Sequence, residues 1–233
     1  MDGSGTSADP LLRGFYTVSD AARLLGIARK DRIRRWLGPA NDSARPPVVL
    51  RDYSPDGGPQ ELSFLDLIEV RFVEHFRSKG FSLQFLRKVA QAARKYFGAR
   101  HPFALSHAKY LTDRKNIFRL VADEERLSIS NILTGQLEMY DIIEKSLAAD
   151  LTFDPVSCLA TAWRPRPDTS PNVVVNPRYA FGQPTIGPDR VPTAALRRQF
   201  DAEDGDVARV ASWWEVEPAF IREAVAFERE LAA

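Results

Sequence analysis

The residues whose types and spacing most clearly suggest chemistry are five cationic side chains within seven positions of the N-terminal part of the chain. They are Arg29, Lys30, Arg32, Arg34 and Arg35. Cationic groups at this density bind phosphates, and the planar arginine fork makes bidentate contacts with them. Ile33, Trp36 and Leu37 recur at helical spacing in the same stretch. This spacing predicts a helix with one packed face and a cationic remainder.

A short amphipathic segment precedes the basic one and is expected to position it. Its apolar residues predict a helix over 18–25, and Thr17 followed by Asp20 predicts a capping box at its start. Gly26 supplies a turn residue between the two segments. A packed helix, a tight turn and a cationic second helix are the elements of a helix-turn-helix that enters the major groove of DNA. The alternative is a surface helical hairpin with a solvated basic face.

The residues that follow predict a wing and two more helices. Strands at 48–53 and 60–62 flank a turn rich in Pro and Gly, and a hairpin in this place would bring Arg51 and Tyr53 to the DNA backbone. The alternative is a hairpin that only closes the domain core. Long apolar stripes predict helices at 63–79 and 82–97.

The remainder of the chain predicts an α+β, mostly helical fold with a small mixed β-sheet in the middle and a C-terminal domain of three helices. Short strands are expected at 110–111, 117–121, 151–153, 158–160 and 173–175, a helix at 135–149 and a Pro-rich linker at 163–168. The last two helices also have helix-turn-helix spacing. The second of them is acidic, with Glu217, Glu223, Glu228 and Glu230, which favours packing or protein binding because carboxylates repel phosphate.

Four segments result from these patterns. We predict a disordered stretch at 1–12, a winged helix-turn-helix domain at 13–100, a middle α+β segment and linker at 101–170, and the C-terminal helical domain at 171–233. Residues 1–100 carry 17 Lys and Arg against 11 Asp and Glu, a net charge of +6, whereas residues 101–233 have a net charge of −5. This asymmetry suggests two different partners, a polyanion and a protein with a basic surface.

The sequence contains no recognisable catalytic or metal-binding motif. His75, His101 and His107 do not have the spacing of a common metal site, and Cys158 is the sole cysteine. We therefore expect no enzyme activity, no metal and no cofactor. We also expect a cytoplasmic protein that does not enter a membrane, because there is no signal-peptide pattern and no apolar run of ~20 residues.

The chain also resembles a known family. Residues 16–27 and Ile33-Arg34-Arg35-Trp36 are similar to the winged helix-turn-helix of MerR-like regulators, and residues 62–71 and 80–83 resemble the helices after its wing. The stretches 176–178, 181–186 and 190–193 resemble a small helical domain common in bacterial antitoxins. Pro188-Asp189 departs from the Gly-Thr pair usual before the arginine of that domain. Together the two parts resemble a VapB-type antitoxin.

The resemblance implies a homodimeric DNA-binding antitoxin that neutralises a PIN-like ribonuclease toxin and represses its own operon. It places operator DNA contacts on Thr17, Arg29, Lys30, Arg32, Arg34 and Arg35, with Arg51 and Tyr53 in the wing. A guanidinium can take the place of a cation in an acidic metal site. On that ground an arginine such as Arg164, Arg166 or Arg178 would enter the toxin's metal site; the other expectation is that the acidic C-terminal half covers a basic RNA-binding cleft of the toxin. We place the toxin contacts on Trp163, Arg164, Arg166, Arg178 and Arg190. The alternative function is a MerR-like transcriptional regulator whose middle sheet binds a small effector.

Overall fold

The computed structural model describes residues 13–38, 46–53, 60–105, 117, 121 and 149–232. These residues form seven α-helices and a sheet of five short strands, which confirms the predicted α+β, mostly helical class. The chain divides into two compact units, one of residues 17–161 and the other of residues 1–16 with 162–233. The division separates residues 13–16 from the predicted 13–100 domain and cuts the predicted middle segment after residue 161. The predicted disordered stretch 1–12 lies outside the described residues.

The two predicted N-terminal helices are present as α1 (Val18–Leu25) and α2 (Lys30–Leu37). Thr17 and Asp20 form the predicted capping box at the start of α1. Gly26 ends α1 with φ 66°, a left-handed conformation that glycine adopts without strain. Ile33, Trp36 and Leu37 are buried on the underside of α2, so the cationic side chains take the opposite surface.

Two longer helices complete the core of this unit, α3 (Phe64–Ser78) and α4 (Leu83–Phe97). Ser63 and Asp66 form a second capping box, and Ser82 caps α4. Apolar residues of both helices are buried, and the Phe72 ring stacks on Phe103 with 3.9 Å between centroids. Phe103 lies in a short 3-10 turn, Pro102–Ala104, which packs against α3.

The predicted wing differs from the structure. Residues 48–53 and 60–62 contain no strand, only a single bridge residue at Leu62, and 54–59 lie outside the described residues. The backbone donors of this segment have other acceptors. The amides of Val48 and Val49 donate to the Trp36 carbonyl at 2.9 and 3.2 Å, and the Asp52 amide donates to the Asp66 carboxylate at 3.0 Å. Because these amides already donate to acceptors in α2 and α3, they do not need the hydrogen bonds of a β-hairpin.

The five strands follow one another in the sheet in the order β1 to β5. They are β1 (Leu151–Phe153), β2 (Ala160–Trp163), β3 (Val173–Val175), β4 (Pro184–Ile186) and β5 (Val191–Pro192). The pairs β2–β3, β3–β4 and β4–β5 are antiparallel, so these strands form a meander rather than the mixed sheet predicted from the sequence.

Several local predictions for the middle of the chain also differ from the structure. Trp163 ends β2 and is buried, so the predicted linker at 163–168 begins inside the sheet. Ile117 and Val121 are helical and buried, although both were predicted in a strand; spaced by four, they lie on one helical face. The other residues of the predicted strands at 110–121, and the predicted helix apart from its helical last residue Ala149, lie outside the described residues.

The C-terminal unit contains the three predicted helices, α5 (Thr193–Ala202), α6 (Val207–Trp214) and α7 (Pro218–Ala232). Its core combines β3 and β4 with buried residues of the helices, among them Leu196, Val210, Ile221 and Phe227. Several carboxylates of α7 bind inside this unit. Glu223 accepts hydrogen bonds from the amide and side chain of Asn172, and Glu228 accepts one from Thr193.

Residues 13–16 lie in this unit against a strained turn. The Phe15 amide donates to the Phe181 carbonyl at 2.9 Å, and the Tyr16 hydroxyl donates to the Gly182 carbonyl at 2.8 Å. Ala180, Phe181 and Gly182 have consecutive positive φ values of 47°, 55° and 85°. Two consecutive non-glycine residues in this region store strain. The N-terminal segment binds this turn in addition to the turn's own hydrogen bonds, from the Gly182 amide to Tyr179 and from the Gln183 amide to Ala180.

We expect Gly182→Ala to lower the free energy of unfolding by roughly 2 to 4 kcal/mol, because the φ is left-handed and the new Cβ would overlap the Tyr16 hydroxyl. Gly205→Ala is the matched control in the same unit. Gly205 also has φ 85°, but a Cβ there meets Phe200 at an ordinary 3.4 Å. Urea denaturation measures both variants, and an equal loss in the two would show that the Tyr16 contact contributes nothing.

Candidate nucleic-acid interface

The cationic side chains of α2 lie on the side of the helix that faces away from its buried apolar residues. Lys30, Arg34 and Arg35 are exposed on the helix, and Arg29 is exposed just before it. Ile33 and Trp36 fix the rotation of the helix because they are 0% and 3% exposed. The structure thus presents four of the five predicted cations on one accessible helix and its N-cap.

Asp31 lies within this surface and pairs with two of its arginines. Its carboxylate is 3.2 Å from Nη2 of Arg29 and 3.2 Å from Nη2 of Arg35. The hydrogen bond from Arg29, followed by the charges of Arg29 and Arg35, lowers the pKa of Asp31 below its ordinary value. All three side chains are about half exposed or more, so solvent screens these pairs. Arg29 and Arg35 can therefore bind a phosphate in place of Asp31 at a small cost in free energy.

Arg32 is only about one-third exposed, and its charge is paired within its own unit. It forms an ion pair with Glu74 of α3 at 2.9 Å, and its guanidinium lies over the Trp36 ring at 5.5 Å from the centroid. Burial raises the pKa of Glu74, and the charge of Arg32 opposes this shift. Arg32 therefore holds α2 against α3, and we do not place it among the DNA contacts.

The predicted wing contacts are not both accessible. Arg51 is 5% exposed, and its carbonyl accepts a hydrogen bond from the Arg100 guanidinium. A side chain buried to this extent cannot reach a DNA backbone, so the prediction for Arg51 is corrected. Tyr53 is partly exposed, and Thr17 is exposed at the start of α1.

An open groove lies between the start of α1 and the exposed side of α2. Thr17, Val18 and Ser19 line one part of it, and Arg34, Gln60 and Glu61 line the other. The N-terminus of a helix carries unpaired amides and a partial positive charge, which attract anions. Arg34 beside this terminus therefore gives the groove two attractive features for a phosphate, with Glu61 opposing them.

Beneath this surface, a buried polar cluster joins segment 46–53 to α3 and to the turn after α4. His101 Nε2 lies 3.0 Å from Asp52 Oδ1, and its Nδ1 lies 3.7 Å from Asp66 Oδ1. Asp66 and Glu69 are 0% exposed on one face of α3. The amide of Phe103 donates to Glu69 Oε1 at 2.7 Å. The cluster fixes the segment whose amides bind the end of α2.

Burial and neighbouring charges separate the pKa values of these groups. Burial raises the pKa of Asp66 to about 6, although the charge of His101 opposes it, and burial also raises the pKa of Glu69. For Asp52, burial is outweighed by the hydrogen bonds from His101 and Ser63 and the charges of His101 and Arg100, and the pKa falls to about 2. Burial lowers the pKa of His101, but its bond to Asp52 and the surrounding carboxylates raise it overall.

Sequence reasoning did not find this cluster. It included Asp66 only within the stretch 62–71 and compared His101 only with the other histidines, of which His107 lies outside the described residues. A usable signal was present, since Asp66 and Glu69 interrupt the apolar stripe of α3 at i and i+3. The approach of His101 to Asp66, 35 residues earlier in the chain, is a tertiary contact.

The residues predicted to bind a toxin have unequal access. Trp163 is 3% exposed in β2 and cannot contact a partner, so that prediction is corrected. Arg166 pairs with Glu230 at 2.5 Å. Arg164 and Arg178 are exposed, and Arg190 lies over the Tyr179 ring at 5.6 Å.

Exposed aromatic side chains form a second surface feature of the C-terminal unit. Trp213 and Trp214 at the end of α6 are 62% and 37% exposed, and Phe181 on the strained turn is 61% exposed. Trp214 follows Val210 and Ala211 at helical spacing, but Val210 and Ala211 supply the buried contacts of the helix. Adjacent exposed tryptophans are unusual on a surface without a partner.

Comparison with known proteins shows the fold without showing a family. No protein-family model matches the chain, and no curated protein matches it. The chain is similar to the crystal structure of Rv2018 from Mycobacterium tuberculosis, with 21% sequence identity and a TM-score of 0.68. The match covers 90% of this chain and 96% of that one. The same arrangement of elements therefore exists in an experimentally determined structure.

Within the described part of the chain, every helix is too short or too polar to cross a membrane.

Proposed function

We propose that the chain is a DNA-binding protein that contacts operator DNA through α2 and the start of α1. The observation that carries the proposal is the arrangement of Arg29, Lys30, Arg34 and Arg35 opposite a buried face of Ile33, Trp36 and Leu37. A helix held in this way presents its cations to a groove lined with phosphates. The proposal extends to a homodimer on a palindromic operator, because two copies of such a motif read two half-sites.

We further propose that the protein is an antitoxin of the VapB type, which binds a PIN-like ribonuclease toxin with its C-terminal unit and represses its own operon. The exposed Trp213 and Trp214 support a protein partner for this unit. Tryptophan is enriched among residues that dominate binding energy. The acidic residues close by in sequence, Asp204, Asp206, Glu215 and Glu217, are suited to a basic partner surface.

The DNA proposal is tested with the purified full chain and a labelled fragment carrying the promoter of its own gene. We expect saturable binding whose affinity falls steeply with salt, because each neutralised phosphate contributes about −0.9 to the slope of log K against log salt. An equally tight complex with an unrelated fragment would contradict operator recognition. Absence of binding to both fragments at low salt would contradict DNA binding itself.

A further expected result concerns Asp31. Replacing it by Asn removes the carboxylate that pairs with Arg29 and Arg35, and we expect affinity for the promoter fragment to rise by up to about fivefold, since an exposed ion pair contributes up to about 1 kcal/mol. Asp201→Asn is the control, because Asp201 pairs with Arg197 in the other unit at similar exposure. Unchanged or weaker binding by Asp31→Asn would show that Arg29 and Arg35 do not contact DNA.

A further inference from the structure

The buried cluster beneath segment 46–53 contains three polar atoms that have no hydrogen-bond partner among the described residues. They are Asp66 Oδ1, Glu69 Oε2 and His101 Nδ1. All three residues are at least nine-tenths buried, so water outside the protein does not solvate these atoms. Buried polar atoms are almost always satisfied, and unsatisfied ones in proximity indicate a missing ligand or ion.

Two of these atoms, Asp66 Oδ1 and His101 Nδ1, lie close to each other, and Glu69 lies one helical turn from Asp66. Asp66 and Glu69 are separated by one turn on α3, and the other oxygen of Glu69 accepts the amide of Phe103, two residues after His101. Asp66 Oδ1 and His101 Nδ1 are 3.7 Å apart, too far for a hydrogen bond. Two ligand atoms that each lie about 2.0–2.2 Å from the same metal ion are up to about 4 Å apart. A metal ion therefore fits between Asp66 Oδ1 and His101 Nδ1.

We propose that Asp66, Glu69 and His101 bind a divalent metal ion such as Zn²⁺ or Mn²⁺. One imidazole with two carboxylates is a donor set that such ions accept. Potential ligand atoms of Asp52, Asp66 and His101 lie within 4.8 Å of one another. Glu69 is assigned as the third ligand because its unpartnered Oε2 is buried one helical turn from Asp66.

Asp52 has a different part in the site. Its Oδ1 is 3.0 Å from His101 Nε2, and its Oδ2 accepts the Ser63 hydroxyl at 2.7 Å. A carboxylate that accepts the N–H of a metal-bound imidazole fixes the tautomer and turns the other nitrogen to the metal. Asp52 is therefore a positioning residue.

Charge supports the same assignment. The carboxylates of Asp66 and Glu69 balance a divalent ion when His101 is neutral, and Asp52 retains Arg100 at 3.3 Å. The nearby guanidinium of Arg94 donates to the backbone carbonyls of Val48 and Arg100, and its charge also acts on the Glu69 carboxylate, whose pKa it lowers. A bound ion would join segment 46–53, α3 and the turn at 101–105.

The test uses full-length protein without a histidine tag, stripped with EDTA and reloaded with Zn²⁺ or Mn²⁺. We expect one of these ions to be retained stoichiometrically after gel filtration, measured by mass spectrometry, and to raise the melting temperature. Asp66→Asn and Glu69→Gln should lose this retention, and Asp52→Asn should weaken affinity about 10- to 100-fold. Asp150→Asn removes a buried carboxylate that pairs with Arg71 at 2.8 Å outside the site, and should bind metal like the parent protein.

Retention by the parent protein no greater than by Asp66→Asn, with either ion, would overturn the proposal. If the variants fail to fold, Co²⁺ titration of the unaltered protein decides the question. A saturable visible d–d absorption, with a shift of the His101 imidazole resonances, supports the site. The absence of both signals means that water or a proton satisfies these buried atoms, and it overturns the proposal. Neither outcome depends on DNA or a protein partner.

Discussion

Replacing Arg34 and Arg35 together by Ala is expected to weaken binding to the promoter fragment by roughly 30- to 150-fold, or about 2 to 3 kcal/mol. Both side chains are exposed on α2, and Arg34 lies in the groove beside the start of α1. Loss of two phosphate contacts should also reduce the magnitude of the salt slope by about 2. Fluorescence anisotropy at several salt concentrations measures both quantities.

The matched control for this double variant is Arg197→Ala with Arg198→Ala. These are also adjacent arginines on a helix, α5, but they belong to the other unit. The two variants have the same net charge, so their difference reports position rather than total charge. Equal weakening by the two would show that α2 has no special place in DNA binding. Helical content by circular dichroism should be unchanged in both, since surface replacements usually alter stability by less than about 0.5 kcal/mol.

Under the antitoxin proposal, replacing Trp213 and Trp214 together by Ala is expected to weaken binding of the proposed toxin by about 1,000-fold, or roughly 4 kcal/mol, since a tryptophan anchor contributes about 2 kcal/mol or more. Both rings are exposed at the end of α6, while Val210 and Ala211 form the buried contacts of that helix. The folded unit should therefore remain intact. Calorimetry with purified toxin measures affinity, and rescue of growth on co-expression measures neutralisation.

Tyr96→Ala is the control for the tryptophan variant. Tyr96 is 62% exposed, as Trp213 is, but it lies on α4 in the unit of residues 17–161. Its loss should leave toxin affinity unchanged. Full neutralisation by the Trp213 and Trp214 variant would reject this surface as the toxin site. Failure of the unaltered protein to bind the neighbouring gene product would reject the antitoxin proposal and leave the DNA proposal untouched.

The helices on which the DNA proposal depends could be predicted from residues that are close together in the sequence. Thr17 with Asp20 and Ser63 with Asp66 mark helix starts, because a cap and its amides are three residues apart. Ile33, Trp36 and Leu37 fix the buried side of α2, because helical spacing alone puts them on one face. The predicted wing strands failed for a non-local reason, since the amides of Val48 and Val49 bind the end of α2.

Local sequence patterns were sufficient to predict the mostly helical α+β class, the two N-terminal helices with the capping box of α1, and the three C-terminal helices, because each depends on contacts within a few residues. Which cations remain accessible depends on the tertiary structure. Arg32 is paired with Glu74 and Arg51 is buried, whereas Arg34 stays exposed. The approach of His101 to Asp66 also depends on the tertiary structure. Burial and distant partners set the chemistry of a side chain, and both depend on residues brought together only by folding.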